Sequence, residues 1–267
     1  MPAGRPVFRY YDTLNAMLMA LEAGEISSAE VPRCTADYLL AQNDKLMARG
    51  TFDLSNADDF TKRVAYRAGV GFTFMTTEDR AALRDEIDEA LTEMKDDGTL
   101  DALIQTYITD AVNGEPEPVA FTQTDGETVK VAVTGALPPM DYVAADGTPA
   151  GFNTAILAEL GVRLNKNFEL VVVDSVGRAT ALASGNVDLV FWTNGSDGRS
   201  KGGRQTAEEH ETYVEKRKSI ASEEHSALMH AIGEGIDYIK TQNMDIPDGT
   251  ITTQPYFSDL LIPVAMK

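Results

Sequence analysis

The sequence predicts an α/β fold of two lobes, and three observations carry that prediction. The first is the order strand, loop, helix, strand, helix, strand across residues 129–192, the βαβαβ pattern of a parallel sheet. The second is a repeated corner. Ala20-Leu21-Glu22-Ala23-Gly24-Glu25-Ile26-Ser27 echoes Ala181-Leu182-Ala183-Ser184-Gly185-Asn186-Val187-Asp188, each reading as a helix end, a glycine stop and a strand entry. The third is size: 267 residues with 43% apolar content bury a substantial core and suffice for two lobes.

Taken in order, residues 7–11 alternate weakly and suit a strand. Asp12 caps a helix whose Leu14, Met17, Leu18 and Leu21 fall at three-to-four spacing, and Gly24 ends it. Residues 26–31 read as a short strand and 35–47 as a second helix with Tyr38, Leu39 and Leu40 inward. A polar loop over 50–59 precedes a strand over 64–75, interrupted by Gly69 and Gly71. Thr76 and Asp79 have the spacing of a capping box, followed by a helix with Leu83, Ile87, Leu91 and Met94 on one face. Gly98 stops that helix, and residues 100–108 form another. Gly114-Glu115-Pro116-Glu117-Pro118 and the polar residues to Gly126 read as a linker.

The central pattern follows. Residues 129–133 are a buried strand, and residues 135–142 are too rich in Pro and Gly for anything but a loop. Asp146-Gly147-Thr148-Pro149 marks a turn, 154–164 a helix, 168–173 a strand, and a short helix ends near Gly185 before the strand 187–192. Residues 194–249 are highly charged, with Tyr213, Val214, Ile220, Leu228, Ile232, Ile236 and Ile239 at helical spacing, and read as a helical insertion. In parallel sheets ligands sit at the carboxyl ends of the strands. That places the Pro138-Pro139-Met140-Asp141-Tyr142 loop and Trp192-Thr193-Asn194 at the expected site.

Charge and motifs narrow the function. A net charge of −19 argues against nucleic acid or an anionic membrane surface as partner. No apolar run reaches the roughly 18 residues that span a bilayer. Cys34 is alone, so no intrachain disulfide forms, and a buried structural thiol is its expected role. His210, His225 and His230 fall in the acidic 194–249 segment, and the last two, five apart, do not share a helical face as a zinc pair does. Gly151-Phe152-Asn153 matches neither a phosphate loop nor a dinucleotide fingerprint. No enzyme activity, cofactor or metal is therefore expected.

The residues also carry a resemblance. Val131-Ala132-Val133, Leu137-Pro138-Pro139-Met140, Asp146-Gly147, Gly151-Phe152-Asn153 and 181–188 resemble, in that order, the first lobe of the family 3 extracellular solute-binding proteins. Those are the two-lobed amino-acid receptors of bacterial ABC importers, with the type II periplasmic-binding-protein fold. Pro255-Tyr256-Phe257 with Ile262-Pro263-Val264-Ala265-Met266-Lys267 resembles the end of that lobe, where the chain enters the hinge. Phe72-Thr73-Phe74-Met75 through Lys95-Asp96-Asp97-Gly98-Thr99-Leu100 resembles the carboxyl-terminal end of such a protein, yet here it precedes the first lobe.

The implied organisation is 1–70 as second-lobe elements, 71–112 as terminal helices packing on the first lobe, 113–127 as linker, and 128–267 as first lobe with the insertion 194–249. Two explanations of that order stay open, a circular permutation and a fragment of tandem receptors, and the near-complete set of pieces favours permutation.

The resemblance implies capture of a small polar solute, an amino acid in the family's usual case, between the lobes for an ABC transporter permease. It also implies an extracytoplasmic location, periplasmic or lipid-anchored at the cell surface, through an export segment that Met1-Pro2-Ala3-Gly4-Arg5-Pro6 does not resemble. A degenerate receptor acting as a sensor or protein-interaction module is the alternative. Carried over by position, Trp192 and Thr193 occupy the strand end, Arg199 falls near the carboxylate-binding arginine, and Leu137 stands where many members have an aromatic ring. Tyr142 offers a substitute ring, Met140 and Asp141 share its loop, and Arg178 lies at a helix start beside Asp174. The family's second-lobe acid is replaced by Pro32, flanked by Val31 and Arg33 with Glu30 close by, which weakens the case for an α-amino ligand.

Overall fold

A computed structural model describes residues 9, 11, 13–49, 69–114, 118–144, 147–174, 177–195 and 248–267. In chain order its elements are α1 (Leu14–Glu22), β1 (Ala29–Pro32), α2 (Arg33–Gln42), β2 (Leu46–Ala48), β3 (Val70–Thr77), α3 (Ala81–Asp96) and α4 (Thr99–Ile104). Then come β4 (Thr128–Val133), β5 (Ala136–Leu137), β6 (Asp141–Val143), β7 (Pro149–Ala150), α5 (Phe152–Leu164), β8 (Asn167–Val172) and α6 (Gly177–Ala183). The last strands are β9 (Leu189–Gly195), β10 (Thr250–Thr252), β11 (Phe257–Asp259) and β12 (Leu261–Met266).

The larger sheet runs β10-β3-β9-β4-β8, with β11 also on β3. β4 is parallel to both β8 and β9, the arrangement that the crossovers through α5 and α6 impose, while β3 runs antiparallel to β9. Alternation along each strand divides the core. Phe72, Phe74, Val129, Val131, Leu189 and Phe191 pack on one face with Leu83, Ile87, Leu91 and Met94 of α3 and Phe152, Ile156 and Leu160 of α5. Met75, Ala132 and Val190 point the other way, against Ala181 and Leu182 of α6. Both faces of β4 are covered only over Val131–Val133, and on the α6 side Thr128 and Lys130 stay exposed. The α/β prediction and its parallel βαβαβ centre are borne out.

A second sheet, β1-β12-β2, is antiparallel throughout and has its own core, in which Leu21 of α1 and Ala36 and Leu39 of α2 meet Val31, Leu46, Ile262 and Val264. β12 is its central strand, so the last strand of the segment expected as first lobe is built into the smaller sheet.

Local chemistry differs from expectation in several places. The cap of α1 is Thr13, whose Oγ1 accepts the Ala16 N–H at 3.1 Å, and not Asp12. Thr76 forms no capping box: it stays in β3 and donates to the Asp188 carbonyl at 2.7 Å, and a 3-10 turn, Glu78–Arg80, leads into α3. The helix expected over 35–47 ends at Gln42, because Leu46–Ala48 pairs with β12 as β2. The helix over 100–108 becomes α4, a π turn (Gln105–Thr109) and a 3-10 turn (Asp110–Asn113). The loop 135–142 holds β5 and part of β6, which with β7 form a third small sheet, and its Pro138–Pro139 peptide is cis. The linker's second half is docked: Val119 is buried and donates its N–H to the Pro149 carbonyl, and Phe121 packs on the main core. The expected elements over 7–11, 50–59 and 64–68, and most of 194–249, lie outside the described residues or nearly so.

Candidate functional site

The carboxyl ends of β4 and β9 and the start of α6 meet at one end of the larger sheet. Beyond β4 the chain turns at Gly135, which adopts a φ of +66°, and the loop is held by Asp141. The Asp141 Oδ2 accepts from the Thr134 N–H at 2.9 Å, the Thr134 hydroxyl at 2.9 Å and the Gly135 N–H at 3.0 Å. Burial pushes this carboxyl above its usual range, opposed by those three donors and by the charge of Arg178. Behind the loop, Gly151 has a φ of +101° and lies against the Met140 and Pro139 carbonyls, which leaves no room for a Cβ.

Arg178 enters from the first turn of α6. Its Nη1 donates to the Phe191 carbonyl at 2.9 Å, and its guanidinium carbon sits 5.9 Å from the centre of the Trp192 ring, a cation–π arrangement. Burial lowers its pKa, and the Asp141 charge opposes that. Thr73 of β3 is directly opposite Trp192 in the ladder, so both side chains emerge on one face. The Thr73 hydroxyl is fully buried without a hydrogen-bond partner among the described residues. Tyr142, next to Asp141, meets Tyr38 of α2 with ring centres 6.4 Å apart, so the smaller unit reaches the same loop. Chemically this is a half-buried aromatic platform carrying a planar cation, with a buried hydroxyl on the same face, and it suits a flat anionic group such as a carboxylate.

Residues 129–244 match the sequence model of the bacterial extracellular solute-binding proteins, family 3, a range that opens with β4 and includes the loop, α6 and β9. This stretch is similar to that family. The match runs on to residue 244 and so includes most of the segment expected as an insertion.

No curated protein matches. Among solved structures, NikA from Staphylococcus aureus in complex with Ni(L-His)2 is 13% identical, with a TM-score of 0.41 over 97% of this chain and 56% of that one. The PBP AgaA from A. tumefaciens R10, in complex with agropinic acid, is 12% identical, with a TM-score of 0.40 over 96% and 54%. The ABC transporter-associated periplasmic binding protein DppA from Helicobacter pylori, in complex with peptide STSA, is 10% identical, with a TM-score of 0.40 over 97% and 52%. The chain thus spans about half the length of these solved structures.

Within the family 3 stretch, the structure gathers Asp141, Tyr142, Arg178 and Trp192, and Thr193 is exposed at the strand end. Two expected ligand contacts fall elsewhere. Met140 is fully buried in the main core, its sulfur 3.8 Å from the Cys34 thiol, because the Gly151 contact folds the loop inward. Leu137 packs on that same core from β5. Arg199 lies outside the described residues.

Pro32 precedes α2 without a side-chain cap, and the carboxylate at that helix start comes from Asp259 at the end of β11. Asp259 accepts the Cys34 N–H at 2.7 Å and the Leu260 N–H at 2.8 Å. Sequence reasoning missed Asp259, Thr73 and the contact role of Tyr38. The one signal for Asp259 was an acid immediately before the apolar run 260–262, a setting where a carboxylate needs partners. Among the described residues no cluster of His, Cys, Asp and Glu forms a metal site, and no helix is long and apolar enough to cross a membrane.

Proposed function

We propose that this protein is an extracytoplasmic receptor that captures a small solute bearing a carboxylate, an amino acid being the first candidate, and delivers it to an ABC importer. The observation that supports this reading most directly is the Arg178 guanidinium held over Trp192 at the carboxyl end of β9, within the family 3 stretch. The ligand's carboxylate meets the guanidinium fork, and the Thr73 side, where a hydroxyl is buried without a partner among the described residues, offers a further donor. Tyr38 and Tyr142 face each other across the junction of the two units, so a solute contacting both stabilises a closed arrangement by its differential affinity for it. No covalent step is involved. The order of elements, with smaller-unit strands drawn from both 29–48 and 261–266, fits a circularly permuted receptor.

Trp192 is the only tryptophan, so its emission reports on the site. Titration with pools of amino acids, organic acids, sugars and polyamines is expected to give a saturable change with a carboxylate-bearing pool. Arg178→Ala is expected to weaken that response at least about tenfold. A folded protein silent to every pool would sink the receptor reading in favour of a protein-interaction module.

A further inference from the structure

We propose that the groove between α2 and the turns that follow α4 is a second binding site, for an organic monocation with an aliphatic body. The groove is a cavity of about 510 Å3, within the range that small-molecule sites occupy. One wall is a single face of α2, namely Cys34, Asp37, Leu40 and Ala41 at helical spacing. The other is Ile108, Thr109, Val112 and Asn113 from the π and 3-10 turns.

Leu40, Ala41, Ile108 and Val112 supply an apolar body, Thr109 and Asn113 supply hydrogen bonds, and among the described residues Asp37 supplies the only carboxylate in the lining. The Cys34 thiol is pushed well up by burial and adds no charge at neutral pH. Burial raises the Asp37 pKa and the charge of Arg33, one turn earlier on α2, opposes that. Asp110, in the adjoining turn and held by Gln105 at 2.8 Å, adds negative potential nearby. The π turn contributes Ile108 and Thr109 to the wall, and such turns are rare and frequent at functional sites. Because the walls belong to different units, an occupant bridges them, one helical step from the Tyr38–Tyr142 contact.

The test is calorimetric titration of the full chain with n-hexylamine, hexanol and hexanoate up to about 10 mM, where even weak binding registers. Hexylamine is expected to bind saturably, and hexanol and hexanoate at least about tenfold more weakly. Asp37→Asn, an exposed and nearly isosteric change, should weaken the amine by a similar factor, and Ala41→Trp should abolish its binding by filling the groove. Arg178→Ala should give the wild-type amine curve even if no cleft ligand is ever found, which separates this inference from the receptor reading. Equal binding of hexanol, an unchanged Asp37→Asn curve, no saturable heat, or amine binding lost in Arg178→Ala and kept in Asp37→Asn would each overturn it. Circular dichroism of every variant confirms folding.

Discussion

Asp259 joins the two units by a mechanism whose strength is open to direct measurement. Its carboxylate is 7% exposed and takes the Cys34 and Leu260 N–H groups at 2.7 and 2.8 Å, so it closes the start of α2 from the crossover between β11 and β12. A hydrogen bond to a charged acceptor is worth about 1.5–3 kcal/mol, and removing the acceptor strands both donors. Against that, Asp259→Ala no longer buries a carboxylate, a real offset because burial pushes this carboxyl above its usual range despite its donors. The net cost expected for Asp259→Ala is therefore about 2–4 kcal/mol, a fall in Tm of roughly 4–16 °C for a chain of this size. Asp259→Asn keeps one acceptor oxygen and should cost about half as much. Urea unfolding followed by circular dichroism reads both.

A pH series adds an independent check. A carboxyl raised in the folded state keeps its proton longer there than in the unfolded chain. Wild type should therefore gain stability relative to Asp259→Asn as pH falls through the folded value towards the unfolded one of about 3.9. A single stranded buried donor already costs about 1–3 kcal/mol, so an Asp259→Ala protein within about 0.5 kcal/mol of wild type would refute this account of the junction.

Two further results are expected. Gly151→Ala should destabilise by more than about 2 kcal/mol, since its φ of +101° resists a side chain and an added Cβ would meet the Met140 carbonyl oxygen at 2.5 Å; thermal melts of wild type and variant measure it. Asp97, held to about 2 chiefly by the Thr99 hydroxyl and N–H and then by Arg163, contributes stability present above its unfolded value of about 3.9 and lost as pH falls through about 2. Asp97→Asn should flatten the melting-temperature profile in that acid window and, above about pH 5, leave its slope unchanged while melting lower than wild type.

The larger sheet was legible because its signals are local. Val129, Val131 and Val133 alternate with residues facing α6, and Leu83, Ile87, Leu91 and Met94 repeat at helical spacing, so each element announces its own buried face. The smaller sheet was not, because among the described residues β1 and β2 are joined only through β12 and no short window contains that pairing. Leu46–Ala48 therefore read as the tail of a helix. The site divides in the same way. Trp192, Tyr142 and Arg178 stand at strand and helix ends that the pattern locates. Met140 and Leu137 looked exposed in a proline-rich loop, but the close approach of Gly151 folds that loop onto the core. Asp141 reads equally as a ligand contact or a loop anchor until its three donors are seen. Thr73 and Tyr38 acquire meaning only from a ladder partner and from the other unit.

The central position of β12 also sets an order of events during synthesis. Among the described residues β1 and β2 share no ladder and pair only with β12, which leaves the ribosome almost the whole chain later. The larger sheet, whose β4, β8 and β9 lie close together in sequence, can close first, and its finished edge then presents β11 and Asp259 to the waiting α2. The nascent smaller unit spends most of translation with unpaired strand edges, and it is there that a chaperone would find the chain.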